Sequence, residues 1–277
     1  MNRAKASQHR DRCYVAMSDE HTGHLVGLTP PSFHWDCGNE TLKQRALAIQ
    51  RECYSFYRAT INALKPIDAV MNVGDAIDGD GNRSGGAELI ISDRLDQAKV
   101  SADLLAECES PRYVLVRGTA YHTGQREEFE NTMVEKLEKS GAKVSIGDHE
   151  WPQVEGTDVV FDLKHKIGSS RIPHGRYTPL ALDMLWNELW AVQEEQPKAS
   201  IIIRGHVHYH VYLGGADWPL VMTLPALQGM GTRYGKKECT GRVHFGLVSF
   251  HITRQGAWTW QAHIGKFASQ KAQTCKI

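Results

Sequence analysis

Asp19 and His21 stand two residues apart, and so do His206 and His208. In extended chain, side chains two apart leave the same face, so each pair can converge on one cation. Carboxylate mixed with imidazole suits Zn, Mn or Fe; Ca favours oxygen donors alone, and a structural Zn site usually recruits Cys. Further Asp and His residues have similar surroundings. Gly74-Asp75-Ala76-Ile77-Asp78 follows an apolar run at 70–73, Arg117-Gly118-Thr119-Ala120-Tyr121-His122 follows one at 114–116, and His165 closes a run at 159–164. These are too many ligands for one ion. Two ions roughly 3.5–4 Å apart, sharing a carboxylate, would use them and would generate a hydroxide poised for attack on phosphorus.

Such a site needs elements that bring distant chain segments together. β-rich runs at 14–18, 67–73, 113–116, 159–163 and 201–203 alternate with helical patterns at about 40–64, 89–108, 126–140 and 178–195. Pro111 ends the second helical pattern. The third carries Phe129, Met133 and Leu137 on one stripe and closes at Gly141. The fourth is predicted to start at Thr178-Pro179, a cap residue followed by proline at the first helical position. This order predicts a mainly parallel sheet with helices on its faces, whose strand carboxyl ends share one ligand-binding edge. After Gly205 the texture changes. Residues 243–253 and 258–264 alternate around Arg254-Gln255-Gly256 as a hairpin, predicting a second, more antiparallel sheet from the C-terminal third. One domain over 1–277 is expected, with a metal-binding core at 13–210, second-sheet strands at 211–265 and a polar tail at 266–277.

Composition narrows the functional classes. Lys+Arg 32 against Asp+Glu 32 leaves no net charge across 277 residues, which argues against whole-surface capture of nucleic acid or an anionic membrane. No apolar run approaches the roughly 20 residues that cross a bilayer, so no membrane partner is expected. Residues 1–12 lack the apolar region of a secretory signal. The six Cys are scattered without a CxxC pair, which predicts reduced thiols and a cytoplasmic protein. The oligomeric state is not legible.

Taken in chain order, Asp19-x-His21, Gly74-Asp75-x-x-Asp78, the Gly118 region, His165 and Gly205-His206-x-His208 resemble the calcineurin-like, binuclear metallophosphoesterases. The resemblance implies an α/β fold, a two-sheet β-sandwich flanked by helices (αββα). It also implies two divalent metal ions (Mn, Fe or Zn) and a phosphate-ester substrate hydrolysed by a metal-bridging hydroxide. Phosphodiesters are the favoured class, with nucleic acid or nucleotide among the candidates. Asp19, His21 and His208 would hold one metal, His165 and His206 the other, and Asp75 would bridge them; Asp78 would orient a ligand or cap the next turn. The family usually carries Gly-Asn-His followed by an acidic residue, but here Thr119 replaces the Asn and the next His is His122. His122 would then act as general acid or stabilise phosphoryl charge, with Thr119 or water in the vacated position; alternatively His122 itself is a ligand. Residues 117–124 resemble a form associated with phage-encoded members, which would place the protein in a host cytoplasm. A phosphomonoesterase or protein phosphatase, and a catalytically decayed scaffold on the same fold, are the competing readings. A His-x-His amidohydrolase is disfavoured because the pair comes after the last rim strand.

Other residues have two readings each. His174 competes with His165 as a ligand or touches substrate; His165 is preferred because it directly ends an apolar run. His24 and His210 could face the site or be ordinary hydrogen-bonded histidines. Arg117 and Arg204 could bind phosphate or pair with carboxylates. The glycine-rich stretch 79–86 reads as a surface loop and lacks the ending of a P-loop. Trp186 and Trp190, four apart, belong to a core or an interface. His244, His251 and His263 read as structural.

Overall fold

The computed structural model describes residues 10–34, 38–82, 84–124, 128–230, 243–267 and 274–275. Cys37, Cys239 and most of the expected polar tail lie outside the described residues. In chain order the strands are β1 (Arg12–Met17), β2 (Ala69–Val73), β3 (Arg112–Val116), β4 (Lys143–Gly147), β5 (His149–Glu150) and β6 (Phe161–Lys164). They continue as β7 (Ile201–Arg204), β8 (Val211–Leu213), β9 (Leu220–Thr223), β10 (Phe245–Ile252) and β11 (Trp258–Gly265). The helices are α1 (Glu40–Leu64), α2 (Arg94–Ala106), α3 (Ala120–Thr123), α4 (Glu128–Lys139) and α5 (Tyr177–Val192).

The described strands form two sheets, ordered β11-β10-β1-β2-β3-β4 and β5-β6-β7-β9-β8. In the first, β1 to β4 are parallel and β10 pairs antiparallel with β1. In the second, β6, β7 and β9 are parallel, with β5 and β8 antiparallel at the edges. Alternation of side chains sets the layers. Val15 and Met17 of β1 pack with Ile49, Cys53 and Tyr57 of α1, whereas Ala16 faces Phe161, Leu163, Ile201 and Ile203 of the other sheet. Ile202 faces away from that interface and packs on Leu180 of α5. The result is four layers: helices, sheet, sheet, helix. Each fully buried Val, Ile, Leu or Phe contributes about 1.5–3 kcal/mol, so a one-residue slip of register would forfeit many such contacts.

Two expectations about the sheets are corrected. The five rim strands do not share one sheet: β1, β2 and β3 belong to the first, and β6 and β7 to the second. The C-terminal hairpin does not build the second sheet but extends the first, and only β8 and β9 of the 211–265 segment join the second. Helix starts also differ. Residues 89–91 are not helical, with Ile90 N–H donating to Gly23 O at 2.8 Å, and α2 begins only after Asp93, whose side chain accepts from Asp96 N–H. Thr178 does not cap α5; the helix continues from a 3-10 turn, His174–Arg176. Pro179 still falls in the first turn, where its missing N–H has no intrahelical partner to lose.

Candidate metal centre

The rim is assembled by backbone registry before any side chain acts. Asp19 N–H donates to Gly74 O at 2.9 Å and His21 N–H to Asp75 O at 3.1 Å, so the segments beyond β1 and β2 run level. In the second sheet Lys164 pairs with Arg204, and Gly205 N–H donates to His165 O at 2.9 Å. The two sheets are stitched at the rim by His206 N–H, which donates to Asp19 Oδ2 at 3.0 Å. Glycine is required where the segments touch: a Cβ on Gly74 would lie 2.5 Å from His165 Nδ1, and one on Gly118 would strike the Asp75 carboxylate.

Backbone conformation marks the same residues. Asp19 (φ 55°), His21 (45°), Asp75 (53°), His206 (72°) and His208 (55°) all occupy the left-handed region. Among the described non-glycine residues only Glu109 and Glu194 share it. Such residues are uncommon and mildly strained, and here they turn side chains from two sheets towards one point.

Two clusters carry the expected ligands, each with ligand atoms within 4.8 Å of one another: Asp19, His21 and His208, and Asp75, His165 and His206; a third by the same measure, His21, Asp78 and His122, overlaps the first through His21. In the first, His208 Nε2 lies 3.2 Å from Asp19 Oδ1 and 3.3 Å from His21 Nε2. In the second, His165 Nε2 lies 3.0 Å from Asp75 Oδ2. The outer nitrogens are already engaged: His21 Nδ1 meets Asp78 Oδ1 at 3.2 Å and His165 Nδ1 meets Val73 O at 2.6 Å. Each partner accepts a proton from Nδ1, which assigns the tautomer and leaves the Nε2 lone pair facing inward. Asp78 thus holds the orienting position expected of it. His165 Nε2 is buried and has no well-directed hydrogen-bond partner among the described residues, an orphan that a cation would satisfy. The donor set fits divalent Zn, Mn or Fe.

Electrostatics agree. Burial raises the pKa of Asp19, but His208 and His165 beside it outweigh that and hold it below the usual carboxylate range. Asp75 is likewise raised by burial and lowered overall, chiefly by His165. His165, which burial alone would lower, is raised to about 9 by Asp75. Burial lowers His21 to about 4. Asp75 thus favours the protonated form of His165, and binding a cation at this cluster would oppose that preference.

The Gly118 loop adds the next layer. Thr119 N–H donates to Asp75 Oδ1 at 2.6 Å, and the Thr119 hydroxyl donates to the same oxygen at 3.1 Å. Thr119 therefore anchors the carboxylate. His122 Nδ1 lies 2.8 Å from Asp78 O, and its Nε2 is 4.0 Å from Asp75 Oδ2. The His122 and His21 rings meet edge-on at 4.4 Å. His122 and His208 keep partly exposed side chains, whereas Asp19 and Asp75 are buried, so solvent reaches the site past those two histidines.

Other candidates lie elsewhere. His174 is exposed in the 3-10 turn and joins neither cluster. His24 is buried, accepts from Val26 N–H at 3.2 Å and lies 3.7 Å from Glu88. His210 Nδ1 meets Thr223 O, and Arg117 lies 3.6 Å from Asp148. Arg204 is buried between Asp162 and Asp183. His263 bonds Ser249, but His244 is closer to the rim than expected: its N–H donates to His208 O at 2.9 Å. Glu130, not singled out by its sequence position, is buried on α4 and accepts from Gly118 N–H at 3.0 Å.

No family model matches this sequence, and no curated protein matches it either. Among solved structures, the purple acid phosphatase PPD1 of yellow lupin (Lupinus luteus) aligns at 11% identity with a TM-score of 0.51. The alignment covers 92% of this chain and 52% of the lupin chain, so this chain spans about half of that protein's length. A dimetal phosphatase from Danio rerio aligns at 10% identity and TM-score 0.46, covering 92% of this chain and 96% of that one. Vps29 of Chaetomium thermophilum aligns at 10% and 0.40, covering 91% and 96%. The lupin likeness shows the fold: a two-sheet α/β sandwich flanked by helices.

Proposed function

We propose that this chain is a metal-dependent phosphoesterase that hydrolyses phosphodiesters, with nucleotides or nucleic acid as the substrate class, in a cytoplasm. The Arg117–Gly124 variant favours a phage-encoded member acting in its host. The observation that carries the reading is the pair of buried clusters, Asp19/His21/His208 and Asp75/His165/His206, converging from two sheets on one rim.

Divalent ions held there, manganese among them, would supply Lewis acidity and a nucleophilic water at neutral pH. Asp19, His21 and His208 would hold one ion and His165 and His206 the other, with Asp75 available to both. Asp78 and the Val73 carbonyl keep the ligand rings turned inward, and Thr119 fixes Asp75 so that little reorganisation accompanies reaction. His122 stands at the solvent side. Because its Nδ1–H is engaged by Asp78 O, a proton delivered to a leaving alkoxide comes from Nε2. The zero net charge is compatible with an anionic substrate, since the bound dications place the attraction at the rim itself.

The test is hydrolysis of a bis-aryl phosphodiester with added Mn, beside the matching monoester and with metal content measured. Diester turnover that Asp75→Asn abolishes, with circular dichroism unchanged, is expected. Turnover of the monoester alone rejects the diester assignment. A metal-free, inactive protein rejects phosphoester hydrolysis and favours a scaffold role, and a fully active Asp75→Asn overturns the shared-carboxylate arrangement.

A further inference from the structure

α5 carries two apolar faces, and among the described residues only one has a partner. Leu180, Met184 and Asn187 point to the second sheet, where Leu180 packs with Ile202 and Val221. On the opposite side Leu182 (51% exposed), Leu185 (55%), Trp186 (47%), Leu189 (42%) and Val192 (81%) face solvent. Leu182, Leu185, Leu189 and Val192 follow the 3-4-3 spacing of a heptad seam, and Trp186 lies beside it. A stripe of that period is what a helix shows to another helix.

We propose that this outward face of α5 is a dimerisation seam on which a second copy of the chain packs its own α5 antiparallel about a two-fold axis.

Three features select a second copy as the occupant. The first is area: covering the five side chains on both copies removes roughly 1,200 Å² from water, the lower end of what specific protein interfaces bury. The second is charge. The helix has two ionised residues, and both are engaged within the chain: Asp183 with Arg204 at 2.7 Å and Glu188 with Lys198 at 3.0 Å. No charge of one sign is left on the seam to demand an opposite charge from a partner, so the face is complementary to itself. The helix also lacks any Lys or Arg, which an anionic membrane surface would require. The third is symmetry. The stripe is centred near position 187, so a two-fold pairs Leu182 with Val192 and Leu185 with Leu189 of the other copy, placing leucine against leucine at the middle.

Sedimentation of the intact protein across a concentration series tests this. A mass rising from 31.0 kDa towards twice that value is expected. Leu185→Glu and Leu189→Lys should each weaken association at least about tenfold without altering circular dichroism or phosphodiesterase turnover. An equal mixture of the two should re-associate, since the antiparallel register sets the acidic side chain of one variant against the basic side chain of the other. The proposal is overturned by a wild type that stays monomeric, by a dimer that both variants leave intact, or by a mixture that fails to associate. Binding of the monomeric wild type to phosphatidylglycerol vesicles would overturn it in favour of a membrane surface.

Discussion

Arg204 Nη1 donates to Asp162 Oδ1 at 2.6 Å, and both residues are buried where β7 and β6 run side by side just ahead of His206 and His165. The same guanidinium reaches Asp162 O at 3.0 Å and, through Nε, Asp183 on α5 at 2.7 Å. One cation thus ties two ligand-bearing strands to the helix that covers them. Burial raises the pKa of Asp162, but His149 and Arg204 lower it overall. Removing one member leaves a buried charge alone. Arg204→Ala is expected to cost about 3–5 kcal/mol in denaturant unfolding, and Asp162→Ala added to it should cost far less than its effect alone. Strict additivity in the cycle would show that the pair is not coupled.

Asp78 Oδ1 stands behind His21 Nδ1 at 3.2 Å, from where it would act on metal through that ring. Asp78→Ala should weaken the affinity of the Asp19/His21/His208 cluster about 10–100-fold, measured by competition with a chromophoric chelator, and leave the other cluster near its original value. Equal weakening of both would mean that Asp78 holds the whole loop and not one ring.

His122 has a partly exposed ring, clustered with His21 and Asp78 but outside the two sets expected to hold the ions. His122→Asn should lower kcat by about 10²–10⁴-fold while bound metal stays constant. Metal lost in step with activity would make His122 a ligand instead.

Glu130 ties pH to stability. Burial pushes it from 4.5 up to about 8, against the Gly118 N–H that favours its ionised form. A carboxyl raised in the folded state supports the fold fully below pH 4.5 and loses that contribution as pH rises through about 8. In denaturant unfolding, Glu130→Gln should therefore match the wild type in stability near pH 4.5 and exceed it at pH 8–9 by on the order of a few kcal/mol. An unchanged difference across that range would show that Glu130 titrates normally.

How much of this was legible beforehand depends on what each residue reveals about its neighbours. Asp19-x-His21 and His206-x-His208 announce themselves because spacing of two and an apolar lead-in are local properties, but the expected extended chain is not what brings each pair together: all four residues are left-handed. The division into two sheets is not local. Ile201, Ile202 and Ile203 are all buried, one face against the first sheet and the other against α5, so an unbroken apolar run looks the same in either sheet. The hairpin β10–β11 was readable as a hairpin, but its docking on β1 rests on contacts with residues more than two hundred positions away. Thr178-Pro179 has the local chemistry of a helix start, yet the preceding 3-10 turn supplies the entry. Glu130 was invisible because an acid on a helix usually faces water, and only the nearby Gly118 N–H explains its burial.

The left-handed backbone at Asp19, His21, Asp75, His206 and His208 has a further consequence. A β-branched side chain is poorly tolerated at φ near 50°, and only Gly, Asn, Asp and His enter that region with much ease. The rim is thus restricted by chain geometry as well as by coordination chemistry, and two independent filters admit nearly the same amino acids. A substitution that kept a metal-binding side chain but could not adopt positive φ is therefore excluded from these five positions by the backbone alone.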